Sequence, residues 1–178
     1  MTEIDILKYK ILLLGPPAVG KTSLWHRFIN KTFENNYAMT IGVQVSTKEV
    51  TFRNATVKLS VWDVGGQVRF EKLRKNFYNG TQGALLIFDL TRKESFNQLE
   101  GWIKEVHDYL EYEIPFVLIG NKNDLIGKKR PFKTQGAIKF AKAHESIYLE
   151  TSAKTGDGVK NAFKELIVTL VKKHHITL

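Results

Sequence analysis

Apolar runs of strand length alternate with segments of helical period along most of the chain. The runs are Tyr9 to Leu14, Val57 to Val61, Ala84 to Phe88, Phe116 to Ile119 and Ile147 to Leu149, and the helical segments are Lys21 to Asn30, Ser95 to Leu110, Thr134 to Ala143 and Val159 to Val171. That alternation predicts an α/β fold, a mostly parallel sheet with helices on both faces. The strands ILLLG, ALLIF and FVLIG are continuously apolar, as strands covered on both faces must be. Residues 42 to 62 read differently. GVQVSTKEVTF and TVKLSVW alternate with period two and meet at Arg53, Asn54 and Ala55, which predicts a hairpin that gives a six-stranded sheet one antiparallel edge strand. No repeat, linker or low-complexity segment interrupts this rhythm, so one domain is expected over residues 1–178.

A domain of 178 residues buries roughly 70% of the surface its unfolded chain exposes and needs no covalent staple. The chain has no cysteine, which excludes a disulfide framework and thiolate metal sites and suits a reducing compartment. Residues 1 to 10, MTEIDILKYK, are too charged for a signal peptide, and no apolar run approaches the ~20 residues that span a bilayer. A soluble, cytoplasmic monomer is expected. Thr2 follows Met1 where a myristoyl acceptor would be glycine, and the end KKHHITL offers no cysteine for prenylation, so no lipid anchor is expected in this chain. The net charge of +9 sits mainly in the last third, where residues 122 to 178 carry 12 Lys/Arg against 5 Asp/Glu. A solvated face explains such an excess, and electrostatic contact with an anionic membrane is the sharper reading. No nucleic-acid partner is expected. His26, His107 and His144 fall on separate predicted helices and His174 and His175 in a tail expected to fray, which does not suggest a transition-metal site.

Chemistry concentrates where strands end. Gly15, Pro16, Pro17, Ala18, Val19, Gly20, Lys21 and Thr22 match G-x-x-x-x-G-K-[ST] between an apolar strand and a helix. Such a loop wraps backbone N–H groups around a polyphosphate at the positive end of a helix, while Lys21 reaches the terminal phosphates and the Thr22 hydroxyl binds magnesium. Asp63 ends the strand TVKLSVW and precedes Val64, Gly65, Gly66 and Gln67; an aspartate there can hold magnesium through water, and Gly66 can offer its N–H to a γ-phosphate. Asn121, Lys122, Asn123 and Asp124 follow FVLIG, and Thr151, Ser152, Ala153 and Lys154 follow IYL. A carboxylate accepts both the ring N–H and the exocyclic amine of guanine, a donor pair adenine lacks, which makes Asp124 the specificity residue. The Lys122 stem and the Ala153 N–H, placed at guanine O6, complete that pocket.

In order and spacing, GPPAVGKT, MTIG, WDVGGQ, NKND and TSAK resemble the Ras superfamily over nearly the whole chain. The resemblance implies a P-loop NTPase G domain: a small regulatory GTPase that binds GTP or GDP with Mg2+, hydrolyses GTP slowly and switches the surface it offers to effectors. It implies that Thr40 binds magnesium when a γ-phosphate is present, that Tyr37 closes over the phosphates, that Ser23 joins the phosphate contacts and that Phe33 packs beside the base. Ser152 and Lys154 join the guanine site by the same resemblance, and Gln67, with Lys21, carries catalysis by orienting the attacking water. Effectors, an exchange factor and a GTPase-activating protein are the implied partners. TIGVQV and RFEKLRKNFYNG look most like Rab proteins of vesicle trafficking, whereas WDVGGQV is closer to Arf than to the usual Rab WDTAGQE. Val68 replaces a common glutamate, Val45 stands where Rab proteins usually carry an aromatic residue beside Trp62 and Phe77, and Pro17 and Ala18 occupy positions that are glycine in many relatives. A nucleotide kinase or ATPase would need a lid or another base pocket, and a scaffold without activity would have lost Lys21, Thr22 or Gln67; all three are present.

Overall fold

A computed structural model describes residues 6–33, 40–52, 55–67, 71–127 and 133–176. Six strands form one sheet in the order β2-β3-β1-β4-β5-β6: β1 (Ile6–Leu14), β2 (Val43–Phe52), β3 (Ala55–Val64), β4 (Gly83–Asp89), β5 (Phe116–Asn121) and β6 (Ile147–Thr151). Only β2 and β3 pair antiparallel, Val43 opposite Val64 and Phe52 opposite Ala55. The expected edge hairpin is thus present, with Ala55 inside β3; Arg53 and Asn54 lie outside the described residues. The helices are α1 (Lys21–Asn30), α2 (Glu71–Lys75), α3 (Lys93–Asn97), α4 (Leu99–Leu110), α5 (Thr134–Ala143) and α6 (Val159–Ile176).

The two-residue period of the strands sorts the core into two layers. Ile11 and Leu13, Val57, Leu59 and Val61, Leu85 and Ile87, and Val117 and Ile119 face α1 and α6. Leu12 and Leu14, Leu86 and Phe88, and Leu118 face α4 and α5. β4 is buried at every position because it lies between both layers. β3 alternates, since its second face, with Lys58, Ser60 and Trp62, is only half buried.

Three expectations need correction. The helix expected over Ser95 to Leu110 is two helices, separated at Gln98. The first turn is tied to the end of β4, where the Ser95 hydroxyl accepts from the Asp89 N–H at 2.9 Å and donates to the Arg92 carbonyl at 2.6 Å. The second helix aims Leu99, Trp102, Val106 and Leu110 into the core, and the two demands meet at Gln98. The tail expected to fray instead continues α6 to Ile176. His144 follows α5 rather than lying on it, with its ring 3.2 Å from Glu100.

The sheet places every motif on one edge. From β1 the chain reaches β3 on one side and β4 on the other, so the carboxyl end of β1 is where connections part, the usual position of a ligand crevice in such sheets. The α1–α6 layer that backs this end is pinned by Phe163, wholly buried, stacked on Phe28 at 4.1 Å and tilted against Trp25 at 5.6 Å. Phe163→Ala should therefore lower unfolding free energy by about 3–5 kcal/mol. Urea unfolding at fixed ligand concentration measures it, and a loss under ~1 kcal/mol would contradict this packing.

Candidate functional site

The loop from Gly15 to Gly20 turns through positive φ at Gly15, Ala18 and Gly20. At two of these a side chain has no room: a Cβ on Gly15 would lie 2.1 Å from the Ile87 carbonyl oxygen, and one on Gly20 would lie 2.4 Å from Asn121 Nδ2. Each carbonyl of the loop is engaged. Lys21 Nζ donates to Gly15 O at 2.8 Å and Pro16 O at 3.0 Å. Arg92 Nη2 donates to Pro17 O at 2.9 Å, Lys122 Nζ to Ala18 O at 2.8 Å, Asn121 Nδ2 to Val19 O at 2.9 Å, and the Leu24 N–H to Gly20 O at 2.8 Å. The N–H groups of Ala18, Val19 and Gly20 donate to none of the described residues. A row of free N–H groups at the start of α1 is an anion cradle.

Charge in the cradle follows the same logic. Lys21 is 6% exposed, and burial lowers its pKa to about 8 despite the nearby Asp63 carboxylate. Its ammonium is thus poorly compensated, with only two of three protons placed. Asp63 is 2% exposed; burial raises its carboxyl against the pull of the Thr22 hydroxyl and Lys21. Thr22 Oγ1 donates to Asp63 Oδ2 and lies 2.8 Å from the Thr40 hydroxyl, while Asp63 Oδ1 is buried without a partner. Three hard oxygen donors, one an orphaned carboxylate oxygen, suit a divalent cation such as magnesium.

Gly66 brings the end of β3 against the loop, so that a Cβ there would lie 2.6 Å from Pro16 C and Pro17 N. Gln67 follows in the same cleft, its Nε2 buried and unpartnered and its carbonyl held by Arg74 Nη1 at 2.9 Å.

At the other end, Asn121 works as a strut: Nδ2 holds Val19 O, and Oδ1 accepts from the Thr151 hydroxyl at 3.0 Å and the Ala153 N–H at 3.2 Å. Ala153 N–H is therefore engaged with Asn121 rather than free for a base oxygen. Lys122, at φ 69°, lays its stem along the cleft between Ala18 O and Asp89 Oδ2, the latter at 2.7 Å. Asp124 Oδ1 accepts from the Ser152 hydroxyl at 2.6 Å, and Oδ2 has no partner among the described residues.

One cleft of about 450 Å³ gathers Pro17, Ala18, Gly20, Lys21, Thr22, Ser23, Phe33, Thr40, Gly66, Gln67, Asn121, Lys122, Asp124, Ala153 and Lys154. Four expected residues stand behind its wall: Gly15 at the turn, Val19 with its side chain in the core, Asp63 beneath Thr22, and Ser152 beneath Asp124. Tyr37 lies outside the described residues. Leu125 lines the cleft without having been expected. Asp89 is also new. Its buried carboxylate takes Lys122 Nζ and, at 3.2 Å, Arg92 Nε, the two cations that hold neighbouring loop carbonyls. Its only sequence signal is an acid ending a wholly apolar strand.

A cradle of this kind on this sheet edge defines a P-loop nucleoside triphosphatase. The family model described as Ras family matches residues 10–172. The Ras-related protein Rab-18 of Lymnaea stagnalis is 39% identical over 174 residues, covering 97% of this chain and 85% of the relative. Rab-18-B of Danio rerio is 38% identical over 173 residues, covering 97% and 83%. The chain belongs to the Ras family. It is a small, Rab-like GTPase that hydrolyses GTP and acts as a nucleotide-dependent switch. Proteins of this family bind GTP or GDP, generally with magnesium, and work with effectors, exchange factors and activating proteins.

The geometry at Gly20 gives a direct check. Gly20→Ala must adopt φ 94° and displace Asn121, so we expect a loss of about 1–3 kcal/mol in stability together with weaker nucleotide binding. Titration of a fluorescent guanine nucleotide alongside urea unfolding reads both; wild-type affinity would show that the loop does not need this backbone.

Proposed function

We propose that the cleft holds GTP or GDP with the phosphates on the loop from Ala18 to Ser23 and the base between Phe33, Lys122, Leu125 and Lys154. The observation that carries this reading is the loop's division of labour, with its carbonyls all engaged and its N–H groups left for an anion. Lys21, under-compensated where it is buried, supplies positive charge beside that anion. The orphaned Asp63 Oδ1 with the Thr22 and Thr40 hydroxyls would hold magnesium, Asp63 through water. When bound, magnesium neutralises charge on the phosphate oxygens.

Asp124 selects the base. Ser152 fixes one carboxylate oxygen, which leaves the group oriented to accept both guanine donors. Since the Ala153 N–H serves Asn121, recognition of guanine O6 falls mainly to groups other than that N–H. Tyr37 is assigned by family resemblance alone.

Gln67 is the residue assigned to hydrolysis: it lies in the cleft beside Gly66 with an unpartnered side-chain amide, able to orient the attacking water. No arginine lines the cleft among the described residues, and Arg92 is committed to Pro17 O and Asp89. Hydrolysis by the isolated protein should then be slow, on the order of 10⁻⁴ to 10⁻³ per second as for Ras alone, with an activating protein supplying arginine. Effectors would dock on the half-buried Trp62, which Phe77 approaches at 5.8 Å, and on the exposed Val45 opposite it. No helix among the described residues is long and apolar enough to cross a membrane. The basic last third of the chain would suit the anionic cytoplasmic face of a membrane.

Asp124→Asn should shift preference from guanine to xanthine nucleotides, because an amide donates to the xanthine 2-oxo group where a carboxylate repels it. Competition between GTP and XTP for the purified variant decides, and an unchanged preference for GTP removes Asp124 from the base site. Gln67→Leu should abolish most residual hydrolysis while leaving GTP binding intact, since leucine cannot hold water. In single-turnover assays of preloaded GTP, equal rates for Gln67→Leu and wild type would overturn the catalytic assignment.

A further inference from the structure

The short helix α2 carries a buried charge. Arg74 is 5% exposed, although it lies on a five-residue helix within the strongly basic segment EKLRK. Its guanidinium is fixed on three sides. Nε and Nη2 fork onto the two carboxylate oxygens of Glu105 in α4, at 2.8 and 2.5 Å. The plane lies over the Trp102 ring, 4.3 Å from its centroid. Glu105 is fixed in turn by the Tyr78 hydroxyl, which donates to Oε1 at 2.6 Å; burial raises the Tyr78 pKa first and this carboxylate second, so the phenol stays a donor. The remaining nitrogen, Nη1, donates to the Gln67 carbonyl at 2.9 Å.

An ion pair this dry is an expensive way to fasten a short helix, because apolar residues of similar volume would do it without desolvating two charges. What apolar residues cannot do is hold a backbone carbonyl at a set point. A planar fork can, and it loses little freedom in doing so. We propose that Arg74 is a positioning residue for hydrolysis: anchored on Glu105, Trp102 and Tyr78, it fixes the Gln67 backbone so that the Gln67 side chain stands in the cleft. The inference rests on the reading of Gln67 as the water-orienting residue.

The test is a double-mutant cycle on single-turnover hydrolysis of preloaded GTP, with the rate of GTP dissociation measured in parallel. Misplacing a reacting group by about 1 Å can cost on the order of 100-fold, and Arg74→Ala should slow hydrolysis by roughly 10- to 100-fold with little change in dissociation. In the Gln67→Leu background the same substitution should cause no further loss, because the group it positions is gone. A merely structural role would multiply the two defects and speed dissociation; either result overturns the proposal. Arg74→Lys keeps the charge but cannot reach Glu105 and Gln67 together, and should resemble Arg74→Ala; a wild-type rate counts against the fork. If Arg74→Ala fails to fold, Glu105→Gln, which keeps the shape of the acceptor, is expected to slow hydrolysis by a smaller factor, and an unchanged rate again overturns the inference. Failure of the parent reading looks different: Gln67→Leu alone would hydrolyse at the wild-type rate and both assignments would fall. Slow Gln67→Leu with unimpaired Arg74→Ala defeats only this one.

Discussion

Between β1 and α1 the chain must present a run of N–H groups to one side, and a backbone can do so only if its carbonyls are satisfied on the other. Six consecutive carbonyls from Gly15 to Gly20 need partners, and the first turn of α1 supplies them for three: the Leu24 N–H takes Gly20 O, and the Lys21 ammonium takes Gly15 O and Pro16 O. The other three are taken from far along the chain, by Arg92 beyond β4 and by Asn121 and Lys122 at the end of β5. The buried Asp89 neutralises two of these cations at once. Strand order follows from the same need, since β1, β4 and β5 must end side by side for such distant donors to converge.

The two ends of the cleft are therefore one device. Asn121 reaches Val19 with one atom of its amide and Thr151 and Ala153 with the other, and Lys122 ties Ala18 to Asp89 beneath the cleft. Arg27 adds a further stitch from α1, its Nε on Ala153 O at 2.7 Å and its Nη1 on Lys31 O at 2.6 Å. Disturbing any of these loosens both ends together, which is the physical basis for a single nucleotide holding the molecule in one of two states.

Local patterns carried most of this architecture. Strands buried on both faces announce themselves as unbroken apolar runs, and the alternating β2 and β3 announce an edge, so sheet and hairpin were readable from residue order. The loop and the tetrapeptides NKND and TSAK are each contiguous, and contiguity is what a sequence displays. What escaped depends on pairs distant in the chain. Nothing local to Asp89 says that it holds Lys122, 33 positions on, and nothing in EKLRK marks Arg74 as buried, because its partner Glu105 stands 31 residues away. The break at Gln98 escaped for a related reason: the Ser95 hydroxyl is claimed by the end of β4, a tertiary contact that outweighs continuous helical periodicity. The Ala153 N–H is the converse case: the residue lines the cleft, but its donor is taken by Asn121.

The position of β1 has a consequence for how the molecule comes to exist. This strand is made before the other five, yet its two neighbours are residues 55–64 and 83–89, and its two faces are closed by α4 and by α6, which follows every strand. ILLLG must therefore wait, apolar and unpaired, until β3 and β4 have been made, at elongation rates of about 5–20 residues per second. For several seconds a wholly apolar stretch of the future core is a free edge on both sides, with pairings of high sequence separation that form slowly in any case. The strand on which the finished sheet is centred is thus, during translation, an exposed apolar edge of the kind that chaperones cover.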